Sequence, residues 1–186
     1  MTKVQLRPST ALSPIPAVLV SCGVAGEVQN IITIAWTGTV SSDPPSLSIS
    51  VRKNRYSYDL IRNAGEFVVN IASADMVKDV DYCGTVSGRS TDKYTDRGLT
   101  AARGHVVNAP IVAECPVNIE CRVTQEISLG SHQMFIGEIV NVQASKSALD
   151  DSGRIDIAKL SPLGYGGGTY WSLKEALGTY GFSQKK

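Results

Sequence analysis

The run Arg52-Lys53-Asn54-Arg55-Tyr56-Ser57-Tyr58 places cations, an amide and a hydroxyl where a strand pattern ends and a helix pattern begins. A helix start offers unpaired N–H groups and the positive end of its dipole. With Arg, Lys and Ser beside it, it makes a site for a phosphate. The same run also reads as a solvated basic turn, and the pattern alone favours that reading, since clustered charge mostly faces water. Other reactive groups are sparse. The two histidines, His105 and His132, lie far apart, and no Cys or His spacing matches a zinc site. Gly84-Thr85-Val86-Ser87-Gly88 falls short of a G-x-S-x-G nucleophile turn. The triple glycine Gly166-Gly167-Gly168 is not followed by Lys and Ser or Thr, so it is no phosphate loop. No G-x-G-x-x-G follows a strand pattern, which argues against a Rossmann dinucleotide fold.

The chain has 186 residues, and 18 basic against 17 acidic side chains give a net charge of +1. That balance suggests neither a nucleic-acid binder nor a membrane binder. Aromatics are 6% of residues, too few for base-stacking platforms. Cys22, Cys83, Cys115 and Cys121 form no C-x-x-C pair, and Met1 to Pro8 has no apolar signal core. Reduced thiols and a cytoplasmic location are expected. The length fits one domain, with a core over about residues 10–165 and a C-terminal arm over about 166–186.

The elements that must position these residues are mostly strands. Leu47-Ser48-Ile49-Ser50-Val51-Arg52 and Val117 to Thr124 alternate apolar and polar residues, the pattern of antiparallel sheet with one face on the core. Ala17–Val24, Asn30–Trp36, Phe67–Ala72 and Met134–Ala144 are further strand candidates, with a hairpin turn at Gly23–Gly26. Helices are predicted over Arg55–Asn63, stopped by Gly65, and over Ser73–Tyr82, with Ser73 as N-cap and Gly84 beyond its end. A short late helix is predicted over Ser172–Leu177. Thr85–Arg97 and Tyr165–Tyr170 read as loops, the second flexible. Many short strands with few helices suggest a closed barrel plugged by helices.

The order of several blocks resembles the flavoredoxin and flavin-reductase-like family. They are N-x-x-T-x-A-W at Asn30–Trp36, Ser42-Asp43-Pro44-Pro45, and Ser48 to Tyr58. Downstream, Asp81-Tyr82-Cys83-Gly84-Thr85-Val86-Ser87-Gly88 to Asp92-Lys93 is similar to a further block. Gly98-Leu99-Thr100, Asn108-Ala109-Pro110, Glu120-Cys121, His132 to Ile139 and Pro162 to Tyr165 follow in family order. The likeness covers about residues 10 to 180.

This resemblance implies a mainly β fold: an antiparallel split β-barrel with a few short peripheral helices, binding FMN non-covalently at a homodimer interface. The flavin ring would rest on the Asn30–Trp36 strand and a Val40–Ser42 turn. Thr33 and backbone groups from Ala35 to Ser41 would bond the ring edge. Ser50, Arg52 and Ser57 would hold the phosphate, with Lys93 and the Ser87-Gly88 turn closing over it. Asn30, Val51 and Tyr56 complete the implied contacts. Trp36 reads equally as core or flavin contact. Cys83 reads as a small packed residue beside the cofactor rather than a redox thiol. His132 would position a nicotinamide donor or orient a proton, or else be a structural histidine. Tyr165 and Tyr170 would fold over the cofactor, or pack on the partner subunit. The implied activity passes electrons from NAD(P)H or a redox partner through FMN to a flavin, a ferric chelate or a protein. The alternatives are a non-enzymatic electron carrier and a flavin-binding sensor.

Overall fold

A computed structural model of the chain describes residues 1–184. The strands are β1 (Ile15–Pro16), β2 (Val18–Gly23), β3 (Gln29–Ile34), β4 (Thr37–Ser42), β5 (Pro45–Arg52), β6 (Glu66–Ile71), β7 (Ala101–Ala102), β8 (Ile111–Val112), β9 (Val117–Leu129), β10 (His132–Ala144), β11 (Leu163–Gly166) and β12 (Thr169–Ser172). The helices are α1 (Tyr56–Ala64), α2 (Val77–Thr85), α3 (Lys93–Arg97) and α4 (Ile157–Leu160). Seven strands form one antiparallel sheet in the order β3-β2-β6-β9-β10-β5-β4. This is the split-barrel architecture that the resemblance implied.

Alternation explains how the sheet curls around its core. Leu47, Ile49 and Val51 of β5 point inward with Val18 and Val20 of β2, Phe67 of β6, Cys121 of β9 and Phe135 of β10. Ser46, Ser48 and Ser50 take the other face of β5. Strand β2 is buried on both faces: Val18, Val20 and Cys22 enter the barrel, while Leu19, with Ala17 just before the strand, packs under α2 and α3 with Val80, Cys83 and Tyr94. That is why its sequence is nearly continuously apolar. The β2–β3 turn needs glycine at residue 23, where φ is 88° and an added Cβ would overlap the Val28 carbonyl.

Several elements differ from the sequence reading. The predicted loop Thr85–Arg97 ends in α3, capped by Asp92, whose side chain accepts from Tyr94 N at 3.0 Å, and stopped by Gly98 at φ 63°. Gly84 lies inside α2, where an added Cβ would sit 3.2 Å from Thr33 Cβ; its small size lets α2 press on β3. Ser73 does not cap α2. Its hydroxyl bonds Asp75, and a short 3₁₀ turn, Ala74–Met76, precedes the helix. The predicted flexible stretch Tyr165–Tyr170 is the β11–β12 hairpin, turned at Gly167 and Gly168 with φ 60° and 78°. The predicted helix Ser172–Leu177 is absent: Ser172 ends β12, and residues 173–177 have no regular structure. Val40–Ser42 is no turn but part of edge strand β4; the chain reverses at Asp43-Pro44.

Among the described residues, no helix is long and apolar enough to cross a membrane, and no three His, Cys, Asp or Glu residues group as metal ligands.

Candidate functional site

Strands β3 and β5, helices α1 and α2, and the β11–β12 hairpin enclose two touching cavities. The larger, about 400 Å³, is lined by Ile32 to Trp36, Ser50 to Arg52, Gly84 and Thr85 of α2, His132 of β10, and Tyr165, Gly168 and Tyr170 of the hairpin. Arg55, Ala17 and Asp81 complete it. The smaller, about 90 Å³, sits on the start of α1 and is lined by Asn54, Tyr56, Ser57, Asn30, Val86, Ser87, Gly88 and Lys93. Ile32 and Arg55 border both cavities.

The expected site residues divide between these spaces. Thr33, Ala35, Trp36, Ser50, Val51, Arg52, His132 and Tyr165 line the larger one. Asn30, Tyr56, Ser57, Ser87, Gly88 and Lys93 line the smaller one. The expected phosphate set is therefore split, with Ser50 and Arg52 apart from Ser57, Lys93 and the Ser87-Gly88 turn. Val40, Ser41 and Cys83 border neither cavity: Val40 and Ser41 lie on β4, and Cys83 is buried in the cluster beneath α2. The sequence reading did not single out Arg55, Thr85, Gly84 or Asp81. Arg55 stood within the quoted basic run, and its place at the helix N-cap was the usable signal.

The electrostatics favour an anion in the small cavity. Residue Arg55 takes the extended N-cap conformation of α1 without a side-chain cap, so the first N–H groups of that helix have no side-chain acceptor. Among the described residues, neither Arg52 nor Arg55 forms an ion pair. Lys93 is 3% exposed, and its Nζ donates to the carbonyls of Ile31 at 2.9 Å and Cys83 at 2.8 Å. An ammonium has three protons, so one remains. Burial, above all, holds the Lys93 pKa below its ordinary value, and Arg55 adds to this. Asn30 Nδ2 donates to the buried Ser57 hydroxyl at 2.8 Å, fixing strand β3 against α1. An added Cβ at Gly88 would overlap Asn30 Oδ1, so only glycine lets this turn approach.

The larger cavity is built differently. Residues His132 and Arg52 are directly opposite in the β10–β5 ladder, and the His132 ring stacks on Trp36 with centroids 6.2 Å apart and planes 5° from parallel. Burial, aided by the Arg52 charge, holds the His132 pKa below its ordinary value and so favours the neutral ring. The Ser131 hydroxyl is 2.8 Å from its Nδ1. Tyr170 donates to Asp81 at 3.2 Å, and its pKa is pushed up to about 12 by burial and by that carboxylate. The Thr33 hydroxyl proton is committed to the Val80 carbonyl, tying β3 to α2. Burial raises Cys83 to about 11, which keeps it a thiol.

Comparison with known proteins places this architecture. A family model described as a flavin reductase like domain matches residues 11–174, and the chain belongs to that family. The fold is similar to flavoredoxin of Desulfovibrio vulgaris (Miyazaki F), with TM-score 0.92 and 35% identity, covering 99% of this chain and 100% of that one. It is similar also to flavoredoxin from Methanosarcina acetivorans, with TM-score 0.91 and 30% identity, covering 100% and 98% of the two chains. A protein of Archaeoglobus fulgidus is 37% identical over 131 residues, 70% of this chain and 73% of that one.

Proposed function

We propose that the chain binds FMN non-covalently across the two cavities and acts as a flavin-dependent oxidoreductase. The carrying observation is the donor set of the small cavity. An uncapped helix start, Arg55, the spare proton of Lys93 and the Ser87-Gly88 turn converge there, with no carboxylate among the lining residues. A phosphate monoester carries nearly two negative charges and suits this set. The larger cavity suits the flavin ring, with the β3 backbone on one side and Trp36 and Tyr165 as aromatic walls.

Bound FMN would supply two-electron chemistry, taking hydride at its ring and passing electrons on. The chain's own part is position and charge. Arg55, lining both spaces, fixes where phosphate ends and ring begins. Neutral His132 at the mouth offers a ring nitrogen to an incoming donor or to a proton near the ring. The donor would be NADH, NADPH or a redox protein, and the acceptor a flavin, a ferric chelate or a protein. The likeness to two flavoredoxins over nearly the whole chain favours a second reading, an electron carrier without nicotinamide turnover.

A homodimer is part of the proposal. A compact monomer of this mass exposes roughly 8,600 Å², whereas the chain exposes 11,522 Å². The excess reflects terminal arms that extend from the barrel rather than pack on it. Much of it lies on the terminal arms, where Val4, Leu6, Leu12, Leu177, Tyr180 and Phe182 are exposed. Both arms leave from the β1–β11–β12 sheet, beside the larger cavity.

The test has two stages. FMN and riboflavin are titrated against the cofactor-free protein, and the phosphate reading requires much tighter binding of FMN. NADH and then NADPH are added anaerobically to the loaded protein. Bleaching by either supports the enzyme, and no bleaching by both supports the carrier.

A further inference from the structure

We infer that Arg89 is the latch of a phosphate flap, and that its grip on α1 governs how long the cofactor stays bound. The inference rests on placing the FMN phosphate in the small cavity. Residues 86–92 join α2 to α3, and the first of them, Val86, Ser87 and Gly88, form one wall of that cavity. The segment is tightly turned: Ser90 N donates to the Ser87 carbonyl at 3.2 Å, Ser90 Oγ to the same carbonyl at 2.9 Å, and Arg89 N to Ser87 Oγ at 3.3 Å. Asp92 then caps α3, whose first residue is Lys93. The flap and the start of α1 face each other across the small cavity.

Arg89 ties the flap to α1 at two points. Its Nη2 is 3.3 Å from Asp59 Oδ2, and its guanidinium lies 5.2 Å from the centre of the Tyr56 ring. Tyr56 and Asp59 are three residues apart and so share one helix face. Tyr56 also lines the cavity, so the guanidinium covers its outer wall. Both ends of the ion pair are 55% exposed, so the latch is weak and sensitive to salt. Such a contact does not hold the fold together. It biases the flap, and a modest bias on a gate appears in the release rate. Arg89 touches no cofactor atom in this arrangement; it is a positioning residue.

The experiment is stopped-flow release of FMN and of riboflavin from the loaded protein, for wild type, Arg89→Ala, Arg89→Lys, Asp59→Asn and the Arg89→Ala/Asp59→Asn pair, with thermal unfolding of each. Arg89→Ala is expected to speed FMN release about fivefold, the scale of an exposed ion pair with a cation–π contact, and Asp59→Asn, which leaves the guanidinium on Tyr56, about two- to threefold. The pair is expected to be no faster than Arg89→Ala alone. Arg89→Lys keeps the charge but loses the flat stack on Tyr56, and falls between. Riboflavin release and unfolding temperature stay at wild-type values. High salt speeds release from wild type by a larger factor than from Arg89→Ala, where only the phosphate's own contacts remain to be screened. Unchanged FMN release in both single variants, or an equal gain for riboflavin, overturns the latch while leaving the phosphate site intact. Wild type that binds FMN no tighter than riboflavin overturns the phosphate site and the latch together.

Discussion

Arg55→Ala tests the assignment of the two cavities more directly than any other change. Arg55 is half-buried, borders both spaces and has no ion-pair partner among the described residues, so its removal leaves no protein carboxylate stranded. What it removes is a forked donor to the ligand. Hydrogen bonds to charged groups contribute about 1.5–3 kcal/mol each, or roughly 10- to 150-fold in Kd. The expected result is a loss of that size for FMN and under about threefold for riboflavin, whose missing phosphate gives Arg55 little to hold. Arg55→Lys keeps charge without the fork and is expected to lose less. Fluorescence titration of the cofactor-free protein with each flavin gives both constants. Arg52→Ala is the control: Arg52 is exposed, faces His132 and lies outside the small cavity. Should Arg52→Ala abolish the preference for FMN while Arg55→Ala leaves it intact, the phosphate sits at the end of β5 and the cavity assignment fails.

Four further outcomes are expected. Glu120 is buried; burial opposes its charge, but bonds from Asn141 and from the N–H groups of Val106, Val107 and His105 overcome this and lower its pKa from 4.5 to about 2. A depressed carboxylate stabilises the fold above pH 4.5 and loses this contribution as pH falls toward 2. Glu120→Gln should therefore lower stability by about 2–3 kcal/mol at pH 7, with the gap in urea midpoints closing in acid; a gap independent of pH refutes the linkage. Gly88→Ala drives a methyl into Asn30, so FMN affinity should drop at least tenfold with a smaller effect on unfolding. His132→Gln should keep FMN bound while slowing reduction by NAD(P)H, and loss of FMN instead would make His132 a cofactor or structural residue. Deleting residues 1–12 should shift a dimer toward monomer in light scattering; a monomeric full-length chain refutes the interface.

The barrel was legible because period-two alternation is a local signal. Leu47, Ile49 and Val51 had to share a face, whereas the strands that flank β5, β4 and β10, are set by long-range pairing that no local pattern carries. The misses have equally local causes. Helix α3 has only five residues, too short for a period, though Asp92 and Gly98 marked both ends. The β11–β12 hairpin reads as a flexible loop because glycines signal freedom, yet Gly167-Gly168 is also a two-residue turn. In the site, alternation correctly placed Ser50 and Arg52 on one face of β5, but that face meets His132 and the larger cavity. Arg55 follows the strand's end, and its direction is fixed by the Lys53-Asn54 turn and the first turn of α1. The helix pattern starts at Arg55 but does not say where an N-cap side chain points.

The charge arrangement gives the cofactor a thermodynamic role. A buried lysine with only carbonyl partners, beside an arginine without a carboxylate, is unfavourable in the empty protein, because each cation repels the other in a poorly solvated space. An anion in the small cavity relieves that repulsion and adds its own bonds. Stabilisation by a ligand that binds only the folded state grows with its concentration over Kd, by about 2.7 kcal/mol at a hundredfold excess. FMN should therefore raise the unfolding temperature far more than riboflavin at the same free flavin concentration. Lys93→Met should narrow the difference by removing one cation, and should make the empty protein no less stable than wild type despite two lost hydrogen bonds. An empty Lys93→Met protein much less stable than wild type would show that the lysine serves the fold, as a tie between β3 and α2, rather than the ligand.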